Sequence, residues 1–202
     1  MCRRPLCSLL ISLGFVLAAM IPVFAGEPTQ QIKQTTDKIL SILSNPDLKA
    51  PGKALERKKQ FSQALDERFD WEELSRRSLA RYWVERTPQE KKEFVSLYRD
   101  LLERTYLEKV DDYSGETVRY EGETLDGEYA TVKVKIQTKN KREIPVQYRM
   151  LKKANTWWVY DISIEGVSLV NNYRQQFSSI LQKSTFQEVL QRLREKSFFQ
   201  NP

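Results

Sequence analysis

Between residues 128 and 164 the chain alternates apolar and polar residues with a period of two, broken only by short turn sequences. This pattern commits the chain to an antiparallel sheet. Ala130, Val132, Val134 and Ile136 fall on one side of a strand over Glu128 to Thr138, with Lys133 and Lys135 on the other. Ile144, Val146, Tyr148 and Met150 repeat the pattern in a third segment, and Trp158, Tyr160, Ile162 and Ile164 in a fourth. Successive side chains of a strand leave opposite faces, so each set lies on one face. A first strand over Glu116 to Leu125 precedes them. Asp126-Gly127 is a strong tight-turn sequence, and Asn140-Lys141 and Ala154-Asn155 stand where the next two turns are needed. Connections this short join antiparallel neighbours. Pro145 lacks an N–H and predicts an edge or a bulge within the third strand.

Helical patterns flank the strands. Pro28 to Ser44 carries Ile32, Ile39, Leu40 and Leu43 near helical spacing, and Asn45-Pro46 stops it. Pro51-Gly52 marks a linker before a helix over Lys53 to Glu67. Asp70 is placed to cap a short helix that carries Leu74 and Leu79 and leads to Trp83. The longest helix has Thr87 at its N-cap, Pro88 at its first position and Glu90 completing a capping box. Phe94, Leu97, Tyr98, Leu101, Leu102, Tyr106 and Val110 follow at steps of three and four, a stripe wide enough to cover a sheet. After the fourth strand, Ser168 caps a helix with Val170, Tyr173, Phe177, Ile180 and Leu181. Thr185 opens another with Phe186, Val189, Leu190 and Leu193.

The N-terminus reads as a secretory leader. Arg3 and Arg4 precede an uncharged apolar run from Leu6 to Phe24, and Val23-Phe24-Ala25 offers small residues before a cut between Ala25 and Gly26. The alternative is an uncleaved single-span anchor, since the run approaches spanning length. Cys2 and Cys7 precede or open that run, which does not fit a lipid-acceptor cysteine. Residues 26–202 then form one domain, long enough for a sizeable core. The formal charge of the whole chain is +6, and loss of Arg3 and Arg4 lowers it by two. Charge this mild names no partner.

Missing residue types exclude much chemistry. The chain has no histidine, and both cysteines leave with the leader. Ser-His-Asp and Cys-His catalysis, His-based zinc sites and disulfides are thereby excluded from the mature protein. No phosphate-binding glycine loop is present. Asp161 and Glu165 share strand parity, but strand residues four apart lie roughly 13 Å apart. Known two-carboxylate acid/base pairs reach only about 9.5 Å. Asp161 is therefore expected to bond backbone at the rim of a cavity.

Residues 157–181 contain Trp157, Tyr160-Asp161, Glu165-Gly166-Val167-Ser168, Tyr173-Arg174 and Phe177. A second block holds Phe69-Asp70, Arg77, Leu79, Trp83, Thr87-Pro88, Phe94, Leu101-Leu102 and Thr105-Tyr106. Together these blocks resemble the signature of the MlaC family, also called the toluene-tolerance auxiliary family, in order along nearly the whole mature chain. Two positions depart from the family's pattern. Ala80 and Ser184 stand where the family often has glycine, both at helix ends.

The resemblance implies a periplasmic carrier, not an enzyme, that shuttles phospholipid between membranes and serves outer-membrane lipid asymmetry. It implies an outer-membrane lipoprotein–porin complex and an inner-membrane complex of an MCE-domain protein with an ABC transporter as partners. Phospholipid would be cargo, and no cofactor or metal is expected. Nucleic acid is not a partner for an exported chain, and a monomer is expected. The fold class is α+β: a four-stranded antiparallel sheet covered on one face by helices, with an apolar cavity between them. Candidate cavity residues are Tyr98, Leu101, Leu102, Tyr106, Val132, Val134, Ile136, Val146, Tyr148, Trp158, Tyr160, Ile162, Ile164, Val167, Val170, Tyr173 and Phe177. The same residues also suit an ordinary core, because bulky side chains either frame a cavity or fill it. Lys139, Lys141 and Arg142 are candidates for docking to an acidic partner or to anionic headgroups; otherwise they are a solvated turn. Two further functions remain open: a periplasmic hydrolase or isomerase with an open pocket, and an envelope adaptor or chaperone for apolar peptide.

Overall fold

A computed structural model describes residues 26–111 and 115–195, with no side-chain description for 106–111. The helices are α1 (Glu27–Ser44), α2 (Pro46–Lys49), α3 (Ala54–Asp66), α4 (Trp71–Leu79), α5 (Pro88–Asp111), α6 (Leu169–Leu181) and α7 (Phe186–Arg194). The strands are β1 (Thr117–Asp126), β2 (Tyr129–Gln137), β3 (Glu143–Lys153), β4 (Thr156–Ile164) and β5 (Val167–Ser168). The expected leader, residues 1–25, lies outside the described residues.

The sheet runs β1-β2-β3-β4-β5, with every pair of neighbours antiparallel. It is the expected antiparallel meander, with a fifth strand of two residues added. Glu165 and Gly166 turn the chain from β4 into β5 with φ of 50° and 84°. Two successive left-handed residues give the tight reversal that a two-residue hairpin loop needs.

Helix starts follow their capping residues. Asp70 accepts from Glu73 N, Ser168 from Asn171 N and Thr185 from Glu188 N. Thr87 and Glu90 exchange bonds at the start of α5, Glu90 N donating to Thr87 Oγ1 and Thr87 N to Glu90 Oε2. Asn45-Pro46 does more than stop α1. Asn45 accepts from Asp47 N, and Pro46 opens the single turn of α2.

Pro145 lies in an interior strand, not at the edge or bulge that its missing N–H predicts. Its carbonyl accepts from Glu165 N, on the side facing β4. N–H and C=O of one strand residue point the same way, so the missing donor falls where β4 has already ended. The bulge lies elsewhere. Arg149 pairs with Asp161 but Met150 pairs with Val159, which leaves Tyr160 as an extra residue in β4. Opposed residues of an antiparallel pair share a face. Trp157 and Val159 therefore share the core face with Ile162 and Ile164, and Trp158 and Tyr160 turn to the other side. The expectation that Trp158, Tyr160, Ile162 and Ile164 share one face is corrected by this single inserted residue.

Two large buried clusters result, beside a small one in which Ile42, Leu48 and Ala64 join α1, α2 and α3. The sheet cluster joins Ile32 of α1 to Ala130, Val132, Val134, Val146, Met150, Trp157 and Val159. The helical cluster is built by α4 to α7 around Leu74, Phe94, Tyr98, Tyr173, Phe177 and Leu190. The outer edge of β4 is sealed at one end by β5. At the other end residues 68–70 form a parallel bridge, with Asp70 N donating to Val159 O and Val159 N to Arg68 O. An edge so covered cannot pair with another chain. Arg68 is buried and ties α1 to β4, donating to Thr35 Oγ1, Gln31 Oε1 and the Trp157 carbonyl.

Ala80 ends α4 at φ 49° and ψ −122°, a conformation that glycine adopts freely and alanine adopts only under strain. Ser184, the other departure from the family's pattern, is not among the left-handed residues. Ala80 is exposed, so its methyl supports no packing. Ala80→Gly is expected to stabilise the fold by about 1 kcal/mol. Thermal melting should then rise by roughly 2–4 °C; an unchanged or lower midpoint would contradict the strain.

Candidate functional site

The core face of the sheet has a covered end and a more open one. α1 lies over the covered end, where Ile32 packs in the sheet cluster and Glu123 accepts from the backbone N–H of Thr29 at 2.8 Å. Toward the open end three rows of opposed residues line up. They are Val118, Ile136 and Ile144; then Tyr120, Val134, Val146 and Ile164; then Val132, Tyr148 and Ile162. Val132, Val134 and Val146 are buried. Val118, Tyr120, Ile136, Ile144, Tyr148, Ile162 and Ile164 are half-buried. Together they form an apolar wall with surface left for another apolar group. Half-buried apolar side chains gathered on one face indicate a binding surface more than scattered exposed ones do.

Tyr148 shows what kind of surface this is. Its side chain keeps accessible area, yet burial pushes its phenol up to about 12. Its hydroxyl is therefore held among apolar side chains, where the charged form is disfavoured.

The candidate cavity residues divide between the two clusters. Ile136, Tyr148, Ile162 and Ile164 belong to the wall, with Val132, Val134 and Val146 buried beneath its surface. Tyr98, Leu101, Leu102, Val170, Tyr173 and Phe177 are in the helical cluster, each at most 4 % exposed. Their rings pack on one another: Tyr98 meets Tyr173 at 5.1 Å and Phe177 at 5.2 Å, both edge-on. The Tyr98 hydroxyl lies 3.1 Å from Ser78 Oγ. These side chains fill a core. Val170, Tyr173 and Phe177 of α6 thus belong to the helical cluster and not to the sheet cluster that Ile162 packs against. Trp158 and Tyr160 face the opposite side, and Val167 is 58 % exposed on β5. Tyr106 falls outside the described side chains. Val118 and Tyr120 were missed because the register of β1 also shifts, between Tyr120 and Gly122, and the shift obscures the alternation.

At the β2–β3 turn, Lys139, Lys141 and Arg142 are exposed. Arg142 is engaged by Glu165, with 2.5 Å between Nη2 and Oε1. Asp161 is 2 % exposed and accepts from Val170 N at 3.0 Å, Ser168 Oγ at 2.7 Å and Arg149 Nη1 at 3.1 Å. It fixes the start of α6 against β4, the backbone-bonding role expected of it, and its oxygens are spent on structure. Among the described residues no cluster of three or more acidic or sulfur ligands could hold a metal ion. Among them also, no helix is long and apolar enough to cross a membrane.

Comparison with known proteins agrees with this architecture. The family described as MlaC protein matches residues 33–195. Among solved structures, the phospholipid-binding protein from Ralstonia solanacearum, determined in complex with a phospholipid, is similar in fold with a TM-score of 0.76. The two chains are 26 % identical, and the match covers 84 % of this chain and 96 % of that one. With the family matched over most of its length, and its sheet and helices superimposing on a member of the same architecture, this chain belongs to the MlaC protein family.

Proposed function

We propose that this protein is a periplasmic phospholipid carrier, exported by its leader and cut before Gly26, that holds acyl chains against the apolar wall of its sheet. The observation that carries this reading is the set of half-buried residues Val118, Tyr120, Ile136, Ile144, Tyr148, Ile162 and Ile164 on one face. The phospholipid held by the similar Ralstonia solanacearum protein supports it. Burying a methylene is worth about 0.8 kcal/mol. Two acyl chains of about 15 methylenes each then gain roughly 20 kcal/mol before the costs of binding. Spontaneous release into water is negligible at that scale. Transfer therefore requires docking, so that the chains pass directly into a partner's apolar site. An outer-membrane lipoprotein–porin complex and an inner-membrane MCE-domain/ABC transporter complex are the proposed partners, with Lys139 and Lys141 as steering charges at the β2–β3 turn. No catalytic step is needed, and a monomer suffices.

The test is to purify the protein without detergent, extract it with organic solvent and analyse the extract by mass spectrometry. Near-stoichiometric diacyl phospholipid is expected. Protein that is free of lipid, and that also takes none from vesicles, would refute the carrier reading.

A further inference from the structure

Three arginines converge on a recess at the other side of the sheet from the apolar wall, where acyl-chain binding gives them no role. The recess has a volume of about 510 Å³, and Arg77, Arg149, Arg174 and Tyr160 are among its lining residues. Arg77, on α4, sets its guanidinium carbon 3.9 Å from the centre of the Tyr160 ring. Its Nε donates to Glu73 Oε1 at 2.6 Å. Arg149, on β3, donates to Asp161 at 3.1 Å. Arg174, on α6, donates through Nε to the Arg77 carbonyl at 2.9 Å. Each guanidinium is fixed by at least one bond and retains N–H groups for a ligand.

The local charge is not balanced. Glu73 is shared by Arg76 and Arg77, and the Arg76 guanidinium, aided by Arg77, holds its carboxyl at about 2. Asp161 is spent on Ser168, Val170 and Arg149. Among the described residues no carboxylate pairs with Arg174. Four arginines against two carboxylates leave an excess of two positive charges. The first turn of α6 also opens here, but Val170 N and Asn171 N already donate to Asp161 and Ser168. The arginines, not the helix end, are the available donors.

We propose that this recess binds a phosphoester group. Guanidinium forks match phosphate oxygens in shape and charge, and fixed forks lose little entropy on binding. The recess is too large for a bare anion and falls within the roughly 300–1,000 Å³ of small-molecule sites. Its Asn171, Asn172 and Gln175 side chains suit the hydroxyls of a polyol joined to the phosphate. A glycerophosphate unit combines these features. It is available from two sources, the headgroup of an anionic phospholipid or a soluble phosphoester. The site is independent of what the apolar wall holds, since the two lie on opposite faces.

Titration calorimetry of the purified protein with sn-glycerol 3-phosphate tests the proposal, alongside flotation with phosphatidylcholine vesicles with and without phosphatidylglycerol. Saturable binding of glycerophosphate is expected, and Arg174→Gln should weaken it by about tenfold or more. Lys58→Gln, exposed on α3 and not among the recess lining, should leave it unchanged. Arg77→Gln should reproduce the loss if the fold, checked by melting, is retained. Binding to phosphatidylglycerol vesicles that glycerophosphate displaces assigns the headgroup as the source. Glycerophosphate binding without vesicle binding assigns the soluble phosphoester. No saturable binding at millimolar glycerophosphate, or binding indifferent to Arg174→Gln, overturns the proposal. So does a polyglutamate peptide that binds through Arg174 and that glycerophosphate fails to displace.

Discussion

Val170→Glu is expected to unfold the protein rather than merely empty it of lipid. Val170 is 4 % exposed inside the helical cluster, and its N–H is held by Asp161. A carboxylate placed there has no partner and costs several kcal/mol, or it stays protonated. Folded domains are stable by only about 5–15 kcal/mol in total. Circular dichroism at neutral pH should show loss of the cooperative melt. The pH dependence carries a second signature. A carboxyl whose folded pKa is raised is tolerated below its unfolded value of about 4.3 and becomes destabilising as pH rises past it. The variant should therefore melt highest near pH 4, relative to the wild-type protein, and Val170→Gln should show no such trend. A variant that melts like the wild type but has lost its lipid would return Val170 to the wall of a cavity.

Ile162→Glu should have the opposite profile: the fold persists and the lipid is lost. Ile162 is half-buried on the core face opposite Tyr148, so a carboxylate there retains some access to water. The expected cost to folding is about 1–2 kcal/mol. The cost to an acyl chain lying on it is that of burying a charge against hydrocarbon, which the protein avoids by not binding. Lipid extracted from the detergent-free protein should fall from near-stoichiometric to undetectable, with circular dichroism unchanged. Ile136→Glu, in another row of the same wall, should behave alike. Trp158→Glu should not, because the bulge at Tyr160 turns Trp158 to the opposite face. Equal lipid content in Ile162→Glu and the wild type would remove the wall from the binding site. Loss in Trp158→Glu alone would move the site to the other face.

The contrast between these variants measures how far local sequence reaches. Helix starts were legible because capping is a contact between residues three apart. Thr87-Pro88-Glu90, Asp70, Ser168 and Thr185 each do what their spacing implies. Strand identity was legible because period-two alternation survives over whole segments, and Asp126-Gly127 marks the β1–β2 turn. The family was legible because its signature residues stay in order along the chain.

What the sequence by itself determined is therefore the α+β class, the antiparallel order of the long strands and the absence of histidine and cysteine chemistry from residues 26–202. The tertiary structure alone decided which apolar residues are wall and which are core. Val170, Tyr173 and Phe177 have the same hydrophobic spacing whether they face a sheet or other helices. Their burial with Phe94 and Tyr98 depends on where α4 and α5 pack, dozens of residues away in sequence. The inserted Tyr160 likewise leaves β4 apolar on both parities, so only pairing with β3 reveals that Trp157 and Val159, not Trp158 and Tyr160, join Ile162. Arg77, Arg149 and Arg174 look like separate surface charges along the chain. They form one recess because α4, β3 and α6 meet there. Periodicity and capping are fixed over a few residues, whereas facing and convergence are set by contacts between distant elements, and a local pattern contains no information about those.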